Sequence, residues 1–445
     1  MSPRSFVSHI ECTVCGRRHE AGRLLTVCAA CGQMLAVRYD LPRVAASVSK
    51  DDLLRRPPGM YRFCELTPLD AGEEPITLGE GGTPFLPLPR LGRHLGMRHL
   101  FAKDEGQNPT GSFKARGLGM ALTKARTLGV KGLMIPSAGN AGGAAAVYGA
   151  RGGIPVVVVV PRDTPQAAVA EAIIAGAHVF TVEGTIATAG RVIAGIAPTL
   201  GWFDLATLKE PYRLEGKKTM GLELAEQLDW QTPDVLMYPT GGGTGLVGIH
   251  KAYEELAAMG WIKASQPRFI AVQAEGCAPL VKAWEDKAET TTPWENPVTD
   301  APGLRVPGPF AGRQMLKILR ETGGHPQPVS EAAILEAQKL LGRVEGIWTG
   351  PEAAATLAAL CLMKEAGEVD SGTRVVLVLT GAGIKNPPPP LPPPIHTWPR
   401  MPSGLTGRSA TSRTTGSPTA RTRRSAGSPW KRRSSASASR AATAA

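Results

Sequence analysis

The apolar positions along this chain change rhythm several times, and the changes mark out its elements. Short apolar runs fall at residues 98–103, 131–136, 155–160, 177–182, 234–239, 267–273 and 374–380. Each has the length of a strand, and the stretch Ile154-Pro-Val-Val-Val-Val-Val160 reads as a strand buried on both faces. Between most of these runs the apolar residues recur every three to four positions. That period predicts helices near 112–129, 140–151, 164–176, 185–198, 215–229 and 245–259. Strand and helix alternate from about Leu78, which predicts βαβ units, mostly parallel sheets and the α/β class. Residues 310–366 read mainly as helix, with the last helix opening at Gly350-Pro351-Glu352. Residues 285–311 carry many Pro and Gly and little period, which predicts a long loop at the surface or beside the site.

Both ends of the chain depart from this pattern. Cys12-Thr-Val-Cys15-Gly and Cys28-Ala-Ala-Cys31-Gly are paired knuckles with twelve residues between them. This is zinc-ribbon-like spacing, and four thiolates from Cys12, Cys15, Cys28 and Cys31 would close a structural zinc site. A metal-free or disulfide-linked vestige is the competing account. Cys64, Cys277 and Cys361 are scattered, as packing cysteines are. At the other end, Pro387–Ala445 has no apolar period and is dominated by Pro, Ser, Thr, Ala, Arg and Gly, so disorder is expected. It reads either as a basic adaptor tail or as the translation of a shifted frame in a G/C-rich gene, and its composition suits the second account better. The expected organisation is a ribbon-like segment over 1–40, an α/β core over 41–386 and a disordered basic tail over 387–445.

Charge follows the same division. The chain carries a formal +12, but its last 59 residues hold ten Lys or Arg and no acid, which leaves +2 for residues 1–386. A nearly neutral body argues against a nucleic-acid partner. The longest apolar run is too short to span a bilayer, and the N-terminus lacks an apolar signal core, so a cytoplasmic protein without a membrane role is expected.

Candidate chemistry gathers at polar turns between strands and helices. In Asn108-Pro-Thr-Gly-Ser-Phe-Lys-Ala-Arg-Gly117, a Pro/Gly turn delivers Ser112 as a helix cap, and Lys114 falls in the first helical turn. The helix dipole disfavours a positive charge there. The placement suits an amine that must lose its proton to form a Schiff base with a carbonyl. Gly241, Gly242, Gly243, Thr244 and Gly245 follow an apolar run and precede a helix, so their backbone amides form an anion site. Ser137, Ala138, Gly139 and Asn140 make a second such turn, with a hydroxyl and an amide side chain. An amine nucleophile, a phosphate cradle and a carboxylate clamp are the parts a pyridoxal phosphate site requires.

In this order the three segments resemble the fold-type II pyridoxal phosphate enzymes, and among them the threonine synthases. The resemblance covers roughly residues 10 to 386 and extends to Glu210-Pro-Tyr-Arg-Leu-Glu-Gly-Lys-Lys-Thr219, Gly303-Leu-Arg-Val-Pro307 and Leu379-Thr-Gly-Ala-Gly383. It implies two doubly wound α/β subdomains with the cofactor in the cleft, the smaller over about 117–225 and inserted in the larger. It implies a homodimer that converts O-phospho-L-homoserine and water to L-threonine and phosphate. Lys114 would be the catalytic residue, with Phe113 flanking the cofactor ring. Asn140 would bond the ring hydroxyl, the Gly241–Gly245 turn would hold the cofactor phosphate, and the Thr380 hydroxyl would face the pyridine nitrogen. A neutral partner at that nitrogen favours elimination and replacement over transamination. Ser137, Ala138, Gly139 and Asn140 would grip the substrate carboxylate and Arg213 its phosphate, while Lys217 and Lys218 have no assigned role. Many relatives carry an acid where this chain has Ala115, so no function of that acid transfers.

Other readings leave more unexplained. Gly243-Thr-Gly245-Leu-Val-Gly248 also fits a dinucleotide fingerprint, with Glu275 as the ribose acid, but this ignores the Lys114 motif. A ribbon-and-tail nucleic-acid binder ignores most of the chain. Within the same cofactor group, a serine/threonine dehydratase and a β-replacing, sulfonate-forming synthase share the lysine and glycine turns.

Overall fold

The computed structural model describes residues 5–387, so nearly all of the expected basic tail lies outside the described residues. In chain order the strands are β1 (Val7–Cys12), β2 (Arg18–His19), β3 (Leu35–Tyr39), β4 (Phe85–Pro87) and β5 (His99–Asp104). Next come β6 (Leu133–Pro136), β7 (Val156–Pro161), β8 (His178–Val182) and β9 (Phe203–Asp204). The last four are β10 (Val235–Pro239), β11 (Arg268–Ala274), β12 (His325–Val329) and β13 (Arg374–Leu379). They form three sheets, ordered β2-β1-β3, β12-β11-β10-β13-β5-β4 and β8-β7-β6-β9. The first is antiparallel. The second is parallel except for β4, and the third is parallel throughout. The third sheet is drawn from chain lying between β5 and β10, so it is inserted into the sequence of the second.

Burial explains the strand composition. All six residues of β7 and all five of β10 are buried, as parallel strands covered on both faces require. The Asn140–Gly152 helix lies close against β7, because a Cβ on Gly142 would stand 2.6 Å from Val158 Cγ1. All seven strands expected from the apolar runs are present within about two residues of their expected bounds. Two differences matter. β12 interrupts a region expected to be mainly helical, because Pro326 and Pro328 mask its strand character. It is an edge strand paired only with β11, where proline is tolerated. The helix expected to begin near residue 215 begins at Tyr212, which brings Arg213 into its first turn.

Two charge clusters fasten the elements around the cleft. Arg116, fully buried, donates to Glu105 at 2.7 and 2.8 Å and to Glu223 at 2.7 Å, and also reaches Thr83 and Thr219. Lys103 donates to Glu223 at 2.8 Å and to Gln227 at 2.9 Å. Burial opposes the Glu223 charge, but Arg116 and Lys103 outweigh it and hold that carboxyl well below the usual range. This network joins β5, the Lys114–Thr127 helix and the Tyr212–Gln227 helix. Removing one member would strand charge in the core at about 3–5 kcal/mol. The second cluster docks the ribbon. Tyr39, the last residue of β3, donates its hydroxyl to Glu215 at 2.7 Å. Glu215 pairs with Lys218 at 2.7 Å and Lys251 at 3.0 Å, and both lysines lie over the Tyr39 ring.

Candidate active site

Strand ends and helix starts converge on a cavity of about 570 Å³. Its lining includes Phe113 and Lys114, the turns 137–140 and 241–244, Arg213, and Thr380. Polar groups therefore collect at the carboxyl ends of parallel strands, where open α/β sheets bind ligands.

Lys114 opens its helix, and Phe113 is the capping residue. Ser112, expected as the cap, instead accepts the Lys114 amide through its hydroxyl at 3.4 Å. The Phe113 amide donates to the Thr380 carbonyl at 2.9 Å, which fixes the turn against the end of β13. The Lys114 amine lies 3.9 Å from the Phe113 ring centre. Among the described residues no carboxylate pairs with it. Burial first, and then the Arg213 charge, bring its pKa from 10.5 down to about 7, against a smaller pull from Glu352. The amine is thus neutral enough near pH 7 to act as nucleophile or base.

The glycine turn follows β10. The helix Thr244–Ala258 has no side-chain cap, so its first amides are free for an anion. Side chains are excluded here by geometry. A Cβ on Gly241 would lie 2.2 Å from the Gly303 carbonyl oxygen, and one on Gly245 would lie 1.9 Å from the Tyr238 hydroxyl. Gly243 has φ +78° as well, and its Cβ would meet Met315 Sδ at 2.0 Å. The helix Asn140–Gly152 also starts without a side-chain cap. Two helix N-termini face one cavity, the second with its Gly142 amide already taken by Ser137, and together they suit a ligand with two anionic groups.

The other expected residues are arranged as follows. The Ser137 hydroxyl accepts from the Gly142 amide at 2.8 Å and the Gly139 amide at 3.2 Å, and donates to the Gly139 carbonyl at 2.8 Å. It is therefore occupied in shaping the turn, and the exposed donors around it are backbone amides and Asn140. The Asn140 amide nitrogen lies beside the Thr380-Gly381 turn, 3.7 Å from where a Gly381 Cβ would stand. Thr380 is buried at the end of β13, and among the described residues its hydroxyl bonds to no protein group. Arg213 is buried and donates to the Leu205 carbonyl at 2.6 Å and the Thr207 hydroxyl at 3.4 Å, while among the described residues its Nε has no partner. The Glu210 carboxylate accepts the Tyr212 and Arg213 amides, and burial pushes its pKa up to about 7. It therefore neutralises Arg213 poorly.

Sequence reasoning misses several lining residues. Lys217, whose role the sequence leaves open, stands four residues after Arg213, is buried and lines the cavity. Glu352 enters the sequence reading only as part of a helix start, yet its carboxylate accepts the Gly303 amide at 2.8 Å and so holds the 303–307 stretch at the cavity. Tyr238 is buried, and among the described residues its hydroxyl has no partner.

The ribbon cysteines lie apart from this cavity and come together. The sulfurs of Cys12, Cys15, Cys28 and Cys31 all fall within 4.8 Å of one another, with separations of 3.4 Å (Cys12–Cys31), 3.5 Å (Cys15–Cys31) and 3.6 Å (Cys15–Cys28). These are far longer than a disulfide bond of about 2.05 Å. They are close to the ~3.8 Å edge of a tetrahedron with Zn–S spokes of about 2.3 Å.

Comparison with known proteins agrees with this geometry. A family model described as "Pyridoxal-phosphate dependent enzyme" matches residues 76–381. The chain is 37% identical to a threonine synthase of Methanosarcina acetivorans, over 85% of this chain and 92% of that one. It is 34% identical to a threonine synthase of Methanocaldococcus jannaschii, over 85% and 93%. Among solved structures, a threonine deaminase from T.th. superposes with a TM-score of 0.57 at 28% identity, covering 69% of this chain and 94% of that one. Maize serine racemase gives 0.58 at 24% identity, covering 68% and 88%, and so shares the fold. Together these matches place the chain in the pyridoxal-phosphate dependent enzyme family, with the α/β architecture of fold type II.

Proposed function

We propose that the chain is a threonine synthase that converts O-phospho-L-homoserine and water to L-threonine and phosphate. The observation that carries the reading is the buried Arg213, which lines the cavity and, among the described residues, has an unpartnered Nε and no carboxylate at ion-pairing distance. A reaction whose substrate brings its own phosphate needs such a cation in addition to the cradle for the cofactor phosphate.

The cavity fits pyridoxal phosphate. The amides at 241–245 would hold its phosphate, Asn140 its ring hydroxyl, Thr380 its pyridine nitrogen, and Phe113 would flank the ring. When bound, the cofactor supplies an electron sink that acidifies the substrate hydrogen at Cα. Lys114, held near neutrality by burial, takes the proton from Cα and then helps remove one from Cβ. Arg213 grips the phosphate as it leaves Cγ. The turn at 137–140 orients the substrate carboxylate through backbone amides at the start of the Asn140–Gly152 helix. Cγ then gains a proton to become the methyl group, the hydroxyl of water adds at Cβ, and a proton returns to Cα to give L-threonine.

Three finer points belong to the same proposal. Cys12, Cys15, Cys28 and Cys31 hold a structural zinc ion, supported by their sulfur spacing and by a closed set of four ligands. The smaller subdomain spans about 117–225. The enzyme works as a cytoplasmic homodimer, which sedimentation velocity would test for its dimeric part. Among the described residues no helix is long and apolar enough to cross a membrane.

The decisive experiment offers the purified holoenzyme O-phospho-L-homoserine and L-threonine in separate reactions. The expected products are equal amounts of phosphate and threonine from the first, and nothing from the second. Formation of 2-oxobutanoate from threonine, without phosphate release from phosphohomoserine, would make it a dehydratase instead.

A further inference from the structure

We propose that Lys217 is the second cation of the substrate-phosphate site and binds the leaving group together with Arg213. This rests on the reading of the reaction given above. Lys217 and Arg213 lie four residues apart on the Tyr212–Gln227 helix, hence on one face, and both line the cavity.

The Lys217 side chain is set in a slot that two glycines leave open. A Cβ on Gly117, from the Lys114–Thr127 helix, would stand 3.0 Å from Lys217 Cε. A Cβ on Gly248, from the Thr244–Ala258 helix, would stand 3.0 Å from Lys217 Cβ. A side chain at Gly117 would crowd the end of the stem, and one at Gly248 would crowd the helix backbone at Lys217 and Lys218. The slot delivers the amine to the Phe113 ring, 4.0 Å from its centre, where it donates to the Phe113 carbonyl. Lys114 approaches the same ring at 3.9 Å.

The charges around Lys217 are one-sided. Lys114, Arg213 and Arg116 are the basic groups that bear most on it, and Glu105 is the acidic one. Glu105 is already committed to Arg116 at 2.7 and 2.8 Å. Among the described residues no carboxylate pairs with Lys217. Its neighbour Lys218 shows the contrast, since it is buried against Glu215 at 2.7 Å and Glu255 at 2.8 Å. The helix therefore supplies carboxylates where a lysine is structural and withholds them where a lysine faces the cavity. A ligand carrying two negative charges on one phosphate matches two basic groups that, among the described residues, have no carboxylate at ion-pairing distance. In the free site, burial, then Lys114 and Arg213, hold the Lys217 amine well below the ordinary lysine range. It therefore gains a proton as the dianion enters.

The test uses holoenzyme and two probes, inorganic phosphate and L-2-aminobutyrate, which has the amino-acid head but no phosphate. Binding is read from the visible spectrum of the bound cofactor. Lys217→Met is expected to weaken inorganic phosphate at least about tenfold and raise the KM for O-phospho-L-homoserine to match, with L-2-aminobutyrate bound normally. Calorimetry in two buffers of different ionisation enthalpy is expected to show proton uptake on phosphate binding in the wild type, lost in Lys217→Met. Unchanged phosphate affinity would overturn the proposal. So would an equal loss for both probes, which would make Lys217 a brace for Phe113 and Lys114. If Lys217→Met does not retain cofactor, Lys217→Arg decides. Phosphate affinity kept in that variant supports a cation site, and phosphate affinity lost with L-2-aminobutyrate retained refutes it. A wild type that binds phosphate through Lys217 but releases none from phosphohomoserine would overturn the reaction and leave the anion site standing.

Discussion

Replacing Lys114 by methionine should make the apoenzyme more stable while abolishing turnover. The folded amine titrates at about 7 instead of 10.5, chiefly because it is buried and secondarily because Arg213 is near. Between those two values the unfolded chain binds a proton that the folded chain does not, so unfolding stability climbs with pH across this window and levels off above about 10.5. At pH 7 the folded site is half protonated. The penalty is then the gap of roughly 3.5 units less a few tenths, which at about 1.36 kcal/mol per unit is on the order of 4 kcal/mol. Methionine has similar bulk and no charge to desolvate, so it removes most of that penalty. The assay is urea unfolding of apo wild type and apo Lys114→Met at pH 7, 8, 9 and 10. The midpoint difference should be largest at pH 7 and shrink steadily toward pH 10. The uptake of pyridoxal phosphate by apo wild type should rise with pH around 7, since only the neutral amine reacts, and should be lost in the variant. A pH-independent difference, or a variant less stable than wild type at pH 7, would refute the argument that burial suppresses this charge.

Three further outcomes are expected. Arg213→Ala should lower kcat/KM for O-phospho-L-homoserine by about 30- to 1,000-fold, the equivalent of 2–4 kcal/mol for a charged partner in a desolvated site, with the cofactor still bound; steady-state kinetics beside a cofactor spectrum checks both. Gly243→Ala should lose cofactor affinity, because its Cβ would meet Met315 Sδ at 2.0 Å at a backbone φ of +78°, and equilibrium dialysis with pyridoxal phosphate measures it. Chelation at Cys12, Cys15, Cys28 and Cys31 should speed hydrogen exchange in the ribbon while leaving turnover; activity lost in step with zinc would oppose a purely structural site.

The strands, the two strand-to-helix turns and the place of Lys114 at a helix start are legible in the sequence because each is written locally. Apolar runs of strand length and glycines between strand and helix do not depend on distant partners. β12 is hidden because its prolines speak against a strand until its edge position is known. The role of Ser137 is obscured for a related reason: its hydroxyl answers the amides of its own turn, and nothing in Ser-Ala-Gly-Asn reveals where the side chain points. Periodicity places the start of the Tyr212 helix too late, which conceals that Arg213 and Lys217 share a face.

Pairing is the property that sequence withholds most completely, and it separates support from function here. Arg116, Lys103, Lys218 and Lys251 are buried lysines and arginines, as are Arg213 and Lys217, and Lys114 beside them is half-buried. By composition and local context the two groups are alike, and Lys217 and Lys218 are adjacent. The first group meets Glu105, Glu223, Glu215 and Glu255 at ion-pairing distance. The second meets carbonyl oxygens and a phenyl ring. Desolvating a charge without a counter-ion is costly, and a fold under selection for stability alone would replace such residues with apolar ones of similar volume. Three of them lining one cavity, beside the N-termini of two helices, are best explained by anions that arrive with the ligands. The cofactor phosphate, the substrate carboxylate and the substrate phosphate are three such anions. On this argument the stability that the empty site forgoes is recovered when cofactor and substrate bind.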